Sequence, residues 1–171
     1  MRNLSLTASA VLAAAAVALT ATPGQAAPSS GAVTAACTAG NTKVSVRTVS
    51  RPINHDLLTV TNTGRTACNA YAYPYLRFDE DQAATQVVED SRPQAVVTLA
   101  PGGSAYAGIG LSAGDGSGAH GRTAAELEVF LADADGSADG SATLSLPEGT
   151  WIDDSAAVTY WQSNAADALV W

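Results

Sequence analysis

The chain has 171 residues, 16 of them acidic and 8 basic, and its net charge at pH 7 is −8. An acidic surface repels phosphate backbones and anionic lipids, so nucleic acid and membrane surfaces are poor partners. The length suits one domain with a sizeable core.

The first 26 residues have the pattern of a secretory signal peptide. Arg2 supplies the positive start, residues 4–19 are apolar apart from Ser and Thr, and small residues follow up to Ala26. Cleavage after Ala26 satisfies the small-x-small rule. No second apolar stretch of membrane-spanning length follows. We therefore predict a secreted, extracellular protein without a membrane span.

Residues 27–36 are small and uncharged, which predicts a flexible linker. The remainder, 37–171, predicts one domain of short strands separated by turns rich in Gly, Pro and Asn. Pro74 predicts an edge or a bulge in its strand. No convincing amphipathic helix is present. The pattern predicts an all-β, immunoglobulin-like antiparallel sandwich of about seven to nine strands. The stretches with strand-like, extended or β-rich character are 43–49, 57–61, 67–78, 86–89, 95–99, 104–111, 127–131, 143–146, 158–161 and 168–171.

Cys37 and Cys68 are the only cysteines and stand 31 positions apart. In an oxidising compartment, two cysteines most simply form a disulfide with each other. A second interpretation makes Cys37 a lipidated residue, because the preceding Thr34-Ala35-Ala36 vaguely resembles a lipoprotein cleavage box. That interpretation lacks a leucine three positions before the cysteine and would leave Cys68 without a partner.

Five pieces of sequence, taken in this order, carry a family resemblance: Cys37, Leu-Thr-Val-Thr-Asn-Thr-Gly at 58–64, Cys68, Tyr73-Pro74, and Val-Thr-Leu-Ala-Pro-Gly-Gly-Ser-Ala at 97–105. Together they resemble the actinobacterial exported family called domain of unknown function 4232, over about 37–171. The preference for Arg over Lys and for Ala and Gly suits a high-GC source. The resemblance implies an extracellular or envelope-associated sandwich, and it implies no established activity.

The chain departs from that family in its later half, where members often carry a second cysteine pair. Gly118-Ala119-His120 and Trp161-Gln162-Ser163 stand in those regions here. We therefore expect the C-terminal half to be held by packing alone and to loosen first on unfolding.

Two glycine motifs match enzyme patterns in their residues but not in the secondary structure that those enzymes require. Residues 110–114 match the G-x-S-x-G of serine hydrolases, which requires a strand-to-helix turn and a histidine base. More glycines follow, and the one histidine downstream is His120 in the same loop. Residues 116–121 match the G-x-G-x-x-G of dinucleotide-binding folds, which requires an α/β unit. We interpret both as a glycine-rich loop and predict no cofactor.

Acidic residues supply weak candidates for metal binding and for acid–base catalysis. Asp133, Asp135 and Asp139 concentrate the oxygen ligands that Ca²⁺ prefers, but the EF-hand pattern fails, so an acidic turn is the favoured interpretation. Glu126 and Glu128 share one strand face, and the adjacent Asp153-Asp154 could act with them in sugar hydrolysis, although on a strand they more often face water. His55 and His120 are isolated in turns and do not suggest a metal site.

Tyr71, Tyr73 and Tyr75 alternate along one strand and are expected to point the same way. Burial in the core is the favoured interpretation for them and for the three tryptophans, with an exposed binding face as the alternative. We expect a monomeric, non-catalytic module with a binding or surface role in the envelope or medium, and not an enzyme. A small protease inhibitor and a carboxylate-dependent secreted hydrolase remain the alternatives.

Overall fold

The structure is a computed structural model that describes residues 34–171. These residues form two antiparallel-dominated sheets packed face to face, which confirms the all-β sandwich. The described strands are β1 (Thr42–Thr48), β2 (His55–Asn62), β3 (Cys68–Phe78), β4 (Gln86–Val88), β5 (Val97–Leu99), β6 (Ser104–Gly110), β7 (Arg122–Thr123), β8 (Glu126–Ala132), β9 (Ala138–Ser145), β10 (Trp151–Ile152) and β11 (Ala157–Thr159).

The larger sheet has the order β1-β2-β6-β11-β4, and the smaller has the order β5-β3-β8-β9. All neighbours pair antiparallel except β11 and β4, which run parallel. β7 and β10 form a separate two-stranded ribbon. Each sheet therefore contains strands from both halves of the sequence.

The main core lies between the sheets and is built from the inward-facing residues that alternation predicts. In β2 the inward residues include Leu58 and Val60, and in β8 they include Leu127 and Val129, all essentially buried. A second, smaller cluster lies on the opposite face of the larger sheet, where Leu57 packs with Ala168 of the C-terminal segment.

The C-terminal segment corrects one prediction. Residues 168–171 are not a strand, because Ala168 is the last residue of a short helix, α1 (Ala165–Ala168), and no strand follows it. The side chain of Asn164 accepts a hydrogen bond from the Asp167 N–H and so caps this helix. A 3₁₀ turn at Glu89–Ser91 follows β4. In the part of the chain that the structure describes, the helices are too short to cross a bilayer.

The predicted turn after β2 depends on the buried side chain of Asn62. Its amide nitrogen donates to the carbonyl oxygens of Thr66 and Leu99, at 2.8 and 2.9 Å, and its oxygen accepts from the Gly64 N–H at 2.8 Å. The donation to Leu99, the last residue of β5, ties the larger sheet to the smaller one. This network fixes the corner that leads into Cys68.

Cys37 and Cys68 form the predicted disulfide and are both buried in the main core. The signal peptide at 1–26 and residues 27–33 of the predicted linker lie outside the described residues. The end of that linker differs from the prediction, because Asn69 of β3 donates to the Ala35 carbonyl and accepts from the Cys37 N–H.

Candidate functional site

The three tyrosines of β3 are half-buried, and they do not share one environment. Tyr75 lies directly opposite Phe130 of β8, on the outer face of the smaller sheet, and its hydroxyl donates to the Gly136 carbonyl at 2.8 Å. Tyr71 accepts a hydrogen bond from Asn69. Tyr73 instead packs against the main core. We call Tyr71, Tyr73, Tyr75 and Phe130 the tyrosine face.

A bulge in β3 separates these environments. Its pairing with β8 shifts between Tyr71 and Tyr75, and Ala72 has a φ of 49°, in the left-handed region. A bulge re-aims the side chains around it. Pro74, which lies inside the bulge, is buried there, in agreement with the prediction of a bulge.

A pocket of about 260 Å³ opens beside this bulge, on the β5 side of β3. We call it the bulge pocket, and it is lined by Ala70, Ala72, residues 92–97, Tyr160 and Trp161. The pocket lies where β5 begins at Val97, opposite Ala70, while β3 continues past this point. Its walls combine small apolar residues with two aromatic rings and one guanidinium group.

Arg92 forms the polar rim of the bulge pocket. Its guanidinium group lies 4.8 Å from the ring centroid of Tyr160, donates to the Tyr160 hydroxyl and pairs with Glu89 at 3.0 Å. The Tyr160 hydroxyl donates in turn to Glu89 at 3.0 Å. Burial and the Glu89 carboxylate raise the pKa of Tyr160, although Arg92 opposes them. Tyr160 therefore stays protonated near neutral pH and keeps Arg92 in place.

Trp161 supplies a buried donor to this pocket wall. Its side chain is 1% exposed, and its indole N–H has no hydrogen-bond acceptor among the described residues. A buried polar group without a partner costs about 1–3 kcal/mol. Trp151 and Trp171, in contrast, are about half exposed and are not core residues.

The model of the family described as domain of unknown function (DUF4232) matches residues 37–162. The chain belongs to this family. No curated protein and no solved structure matches the chain. The DUF4232 match includes both cysteines and every residue of the bulge pocket, but it ends before α1.

Membership in DUF4232 assigns no activity, so the acidic candidates are described by their contacts. The Glu128 carboxylate pairs with Arg77 and accepts from the Ser141 hydroxyl at 2.6 Å. Glu126 is exposed. The geometry thus places Glu128 in a surface ion pair.

The aspartates of the β8–β9 turn support the turn itself. The Asp135 carboxylate accepts from both the N–H and the hydroxyl of Ser137, at 2.9 and 2.7 Å. Asp133 is half-buried and Asp139 is exposed. Among residues 34–171, no group of three or more His, Cys, Asp or Glu side chains is placed to hold a metal ion.

The motif at 110–114 lies beside His55, which the sequence predicts to be isolated in a turn but which is the first residue of β2. His55 of β2 lies opposite Gly110 of β6, and both residues line the same cavity as Ser112. This cavity, which we call the outer pocket, lies on the outer face of the larger sheet and measures about 260 Å³. Its lining comprises His55, Val88, Gly108, Gly110, Ser112, Ala113, Ser155, Ala157, Thr159, Ala168 and Trp171. Only the β2–β6 register could have revealed this pairing.

Asp56 is a residue that the sequence did not single out. It is fully buried on the inward side of β2, and neither carboxylate oxygen has a hydrogen-bond partner among the described residues. Burial raises its pKa, and the neighbouring Thr48 and His55 oppose this only in part. An inward carboxyl of this kind favours the protonated form.

Proposed function

We propose that this protein is a non-catalytic, exported module that binds an extended segment of a partner polypeptide at the bulge pocket. The observation that carries the proposal is the bulge pocket itself, which lies beside the edge strand β5 and has Trp161 in its wall. The buried indole N–H of Trp161 lacks an acceptor among the described residues and is closed to solvent in the free protein. A peptide carbonyl or carboxylate oxygen would bond to it after a shift of the pocket wall, and that bond would offset the cost of burying the N–H.

The free edge of the smaller sheet supports a polypeptide as the ligand. β5 is an edge strand, paired only with β3 within the described residues. An edge strand presents unpaired main-chain groups, which an extended peptide can complete as an additional strand. Val96, next to β5 and in the pocket wall, is 48% exposed and offers an apolar contact.

Arg92 supports a carboxylate on that peptide. One nitrogen of its guanidinium group serves Glu89 and Tyr160, while the group has five N–H donors in total. The remaining donors can bind a carboxylate at the pocket rim. Because the chain is strongly acidic overall, this local cation also sets where an acidic ligand approaches.

Selection of a random peptide display library on the immobilised protein tests the proposal. Trp161→Phe removes the N–H and keeps an aromatic ring, and Arg92→Gln removes the charge. Arg47→Gln, at an exposed position on β1, is the matched control. We expect selected peptides to bind the control normally and to bind each pocket variant about five- to tenfold more weakly, which corresponds to the loss of one hydrogen bond.

Selected peptides that bind all three variants equally would contradict the proposal. So would inhibition of a protease by the protein through a loop outside the pocket, because that result would favour the inhibitor. Glycosidase activity lost in Glu128→Gln would favour the hydrolase instead. Thermal melting of each variant shows whether it remains folded, so that lost binding is not mistaken for lost structure.

A further inference from the structure

The outer pocket is separate from the bulge pocket, and its floor contains a glycine that local structure does not require. Gly110 is paired on both sides, with His55 of β2 and Ala157 of β11. Its φ lies outside the left-handed region. A Cβ atom there would meet only ordinary contacts, the nearest being His55 Nε2 at 3.5 Å. Glycine costs roughly 0.5–1 kcal/mol relative to alanine within a strand.

Gly108, the other glycine of the pocket on β6, is explained by packing. Gly110 has no such explanation and therefore points to another role. A Cβ atom at Gly108 would stand 2.1 Å from the carbonyl oxygen of Ala168, so α1 packs directly on that position. Nothing in the described structure approaches Gly110 as closely. A glycine in a strand can mark a bulge, a bend, or a place where a ligand or another backbone comes close. Gly110 is the last residue of β6, its pairing shows no register shift and no backbone atom of the described structure crowds it, which favours a ligand.

The missing side chain at Gly110 leaves the imidazole of His55 open to the pocket. The Nδ1 atom lies 2.6 Å from the carbonyl oxygen of Ile53, and because a carbonyl only accepts, Nδ1 carries the proton. When the ring is neutral, its lone pair is therefore on Nε2, the atom nearest the Gly110 position. His55 therefore offers a hydrogen-bond acceptor of fixed orientation.

The other walls define the chemistry of a ligand. Ser112 and Ser155 add hydroxyl groups, and Trp171, which is 47% exposed, adds an indole ring. No Lys, Arg, Asp or Glu side chain lines the pocket, so its side chains favour a neutral ligand. A ring that has several hydroxyl groups and an apolar C–H face matches these walls.

We propose that the outer pocket binds one neutral saccharide ring, with a ligand hydroxyl donating to His55 Nε2 and the ring stacked on Trp171. This site rests on observations independent of the bulge pocket, and either proposal can fail without the other.

Nuclear magnetic resonance titration with the methyl glycosides of glucose, galactose, mannose and N-acetylglucosamine tests the site. At least one glycoside should shift the ring signals of His55 and Trp171 in a saturable manner. Gly110→Val fills the floor and should weaken binding about tenfold or more. The matched control is Gly114→Val, at an exposed position that does not line the pocket and whose φ is also outside the left-handed region.

Trp171→Ala provides a second variant in case Gly110→Val fails to fold, because Trp171 is half exposed. This variant should weaken binding of the same glycoside while leaving the melting temperature unchanged. The site is overturned if no glycoside gives a saturable shift, or if both pocket variants bind as the wild type does. Turnover of an acetyl ester that requires Ser112 would also overturn it, because Ser112 would then be a nucleophile.

Discussion

Tyr73 packs edge-on against Tyr160, with ring centroids 5.0 Å apart and ring planes at 67°. The contact joins the tyrosine face to the wall of the bulge pocket. Tyr73 also meets Tyr75 edge-on at 5.2 Å, so three rings form a continuous row. The tyrosines therefore connect the core to the surface. This role lies between the two that the sequence offers, namely burial in the core and an exposed binding face.

Tyr73→Ala should destabilise the fold more than Tyr71→Ala. Tyr73 loses contacts with the core, Tyr75 and Tyr160, for a cost of about 2–3 kcal/mol. Tyr71 loses its hydrogen bond from Asn69 and its partly buried ring, for about 1 kcal/mol. Urea unfolding of both variants measures the difference. Equal losses would show that Tyr73 does not support the junction.

Asp56→Asn should change how stability depends on pH. Because burial raises the folded pKa of Asp56, its contribution is most favourable below the unfolded pKa of about 3.9 and declines as pH rises toward the folded value. The variant lacks this slope and should be more stable than the wild type at neutral pH. Denaturant titrations from pH 4 to 7 measure the two curves. Parallel curves would contradict a buried, protonated carboxyl.

Alternation predicts most of the architecture. The polar–apolar pattern of 43–49 and 127–131 reappears as β1 and β8, because each strand has one face on the core. Two cysteines in one chain predict the disulfide, since each has a single possible partner. The strands depend on the two-residue repeat of polar and apolar residues, and the disulfide depends on the number of cysteines. Both can be read directly from the sequence.

Features that depend on register or on a single dihedral could not be predicted. The left-handed Ala72 interrupts alternation in β3 and sends Tyr73 to the core, although alanine carries no signal for that conformation. The outer pocket depends on β2 and β6 aligning His55 with Gly110. The apolar residues at 168–171 predict a strand, but the cap at Asn164 starts a helix that ends at Ala168.

Asp79→Asn should reduce stability at neutral pH by about 1 kcal/mol or less, as expected for a partly exposed ion pair. Burial opposes ionisation of Asp79. Hydrogen bonds from the backbone of Ala125 and Glu126, together with Arg122 at 2.5 Å, nevertheless lower its pKa. Asparagine keeps one acceptor oxygen and tolerates the φ of 47°, so the substitution isolates the charge.

The pH dependence at Asp79 has the opposite sign to that at Asp56. A lowered folded pKa contributes stability above the unfolded pKa of about 3.9, and this stability is lost as pH falls through the folded value. The difference between wild type and Asp79→Asn should therefore shrink on acidification. Asp90→Asn, at an exposed position, serves as the control. A difference that persists at pH 2 would assign the effect to packing.

Hydrogen exchange should show where the fold opens first. Each sheet contains strands from both halves of the sequence, so we expect opening to follow individual elements as well as the predicted looser C-terminal half. We expect α1 and the β7–β10 ribbon to exchange first, because each is short and has few partners. β2 and β6 pair with each other in the middle of the larger sheet, and they should exchange last.

The disulfide supplies the control for that experiment. Cys37 and Cys68 enclose a loop with a sequence separation of 31, so the Cys37→Ser, Cys68→Ser double variant should lose about 3–4 kcal/mol. Its loss should accelerate exchange in β2 and β3 more than in the β7–β10 ribbon, because the bridge ties the N-terminal segment to β3. Mass spectrometry compares peptides from 55–78 with short peptides that contain the ribbon strands at 122–123 and 151–152. Uniform acceleration would mean that the disulfide stabilises the whole sandwich equally. Slower exchange in the ribbon than at 55–78 in the wild type would contradict the predicted order of opening.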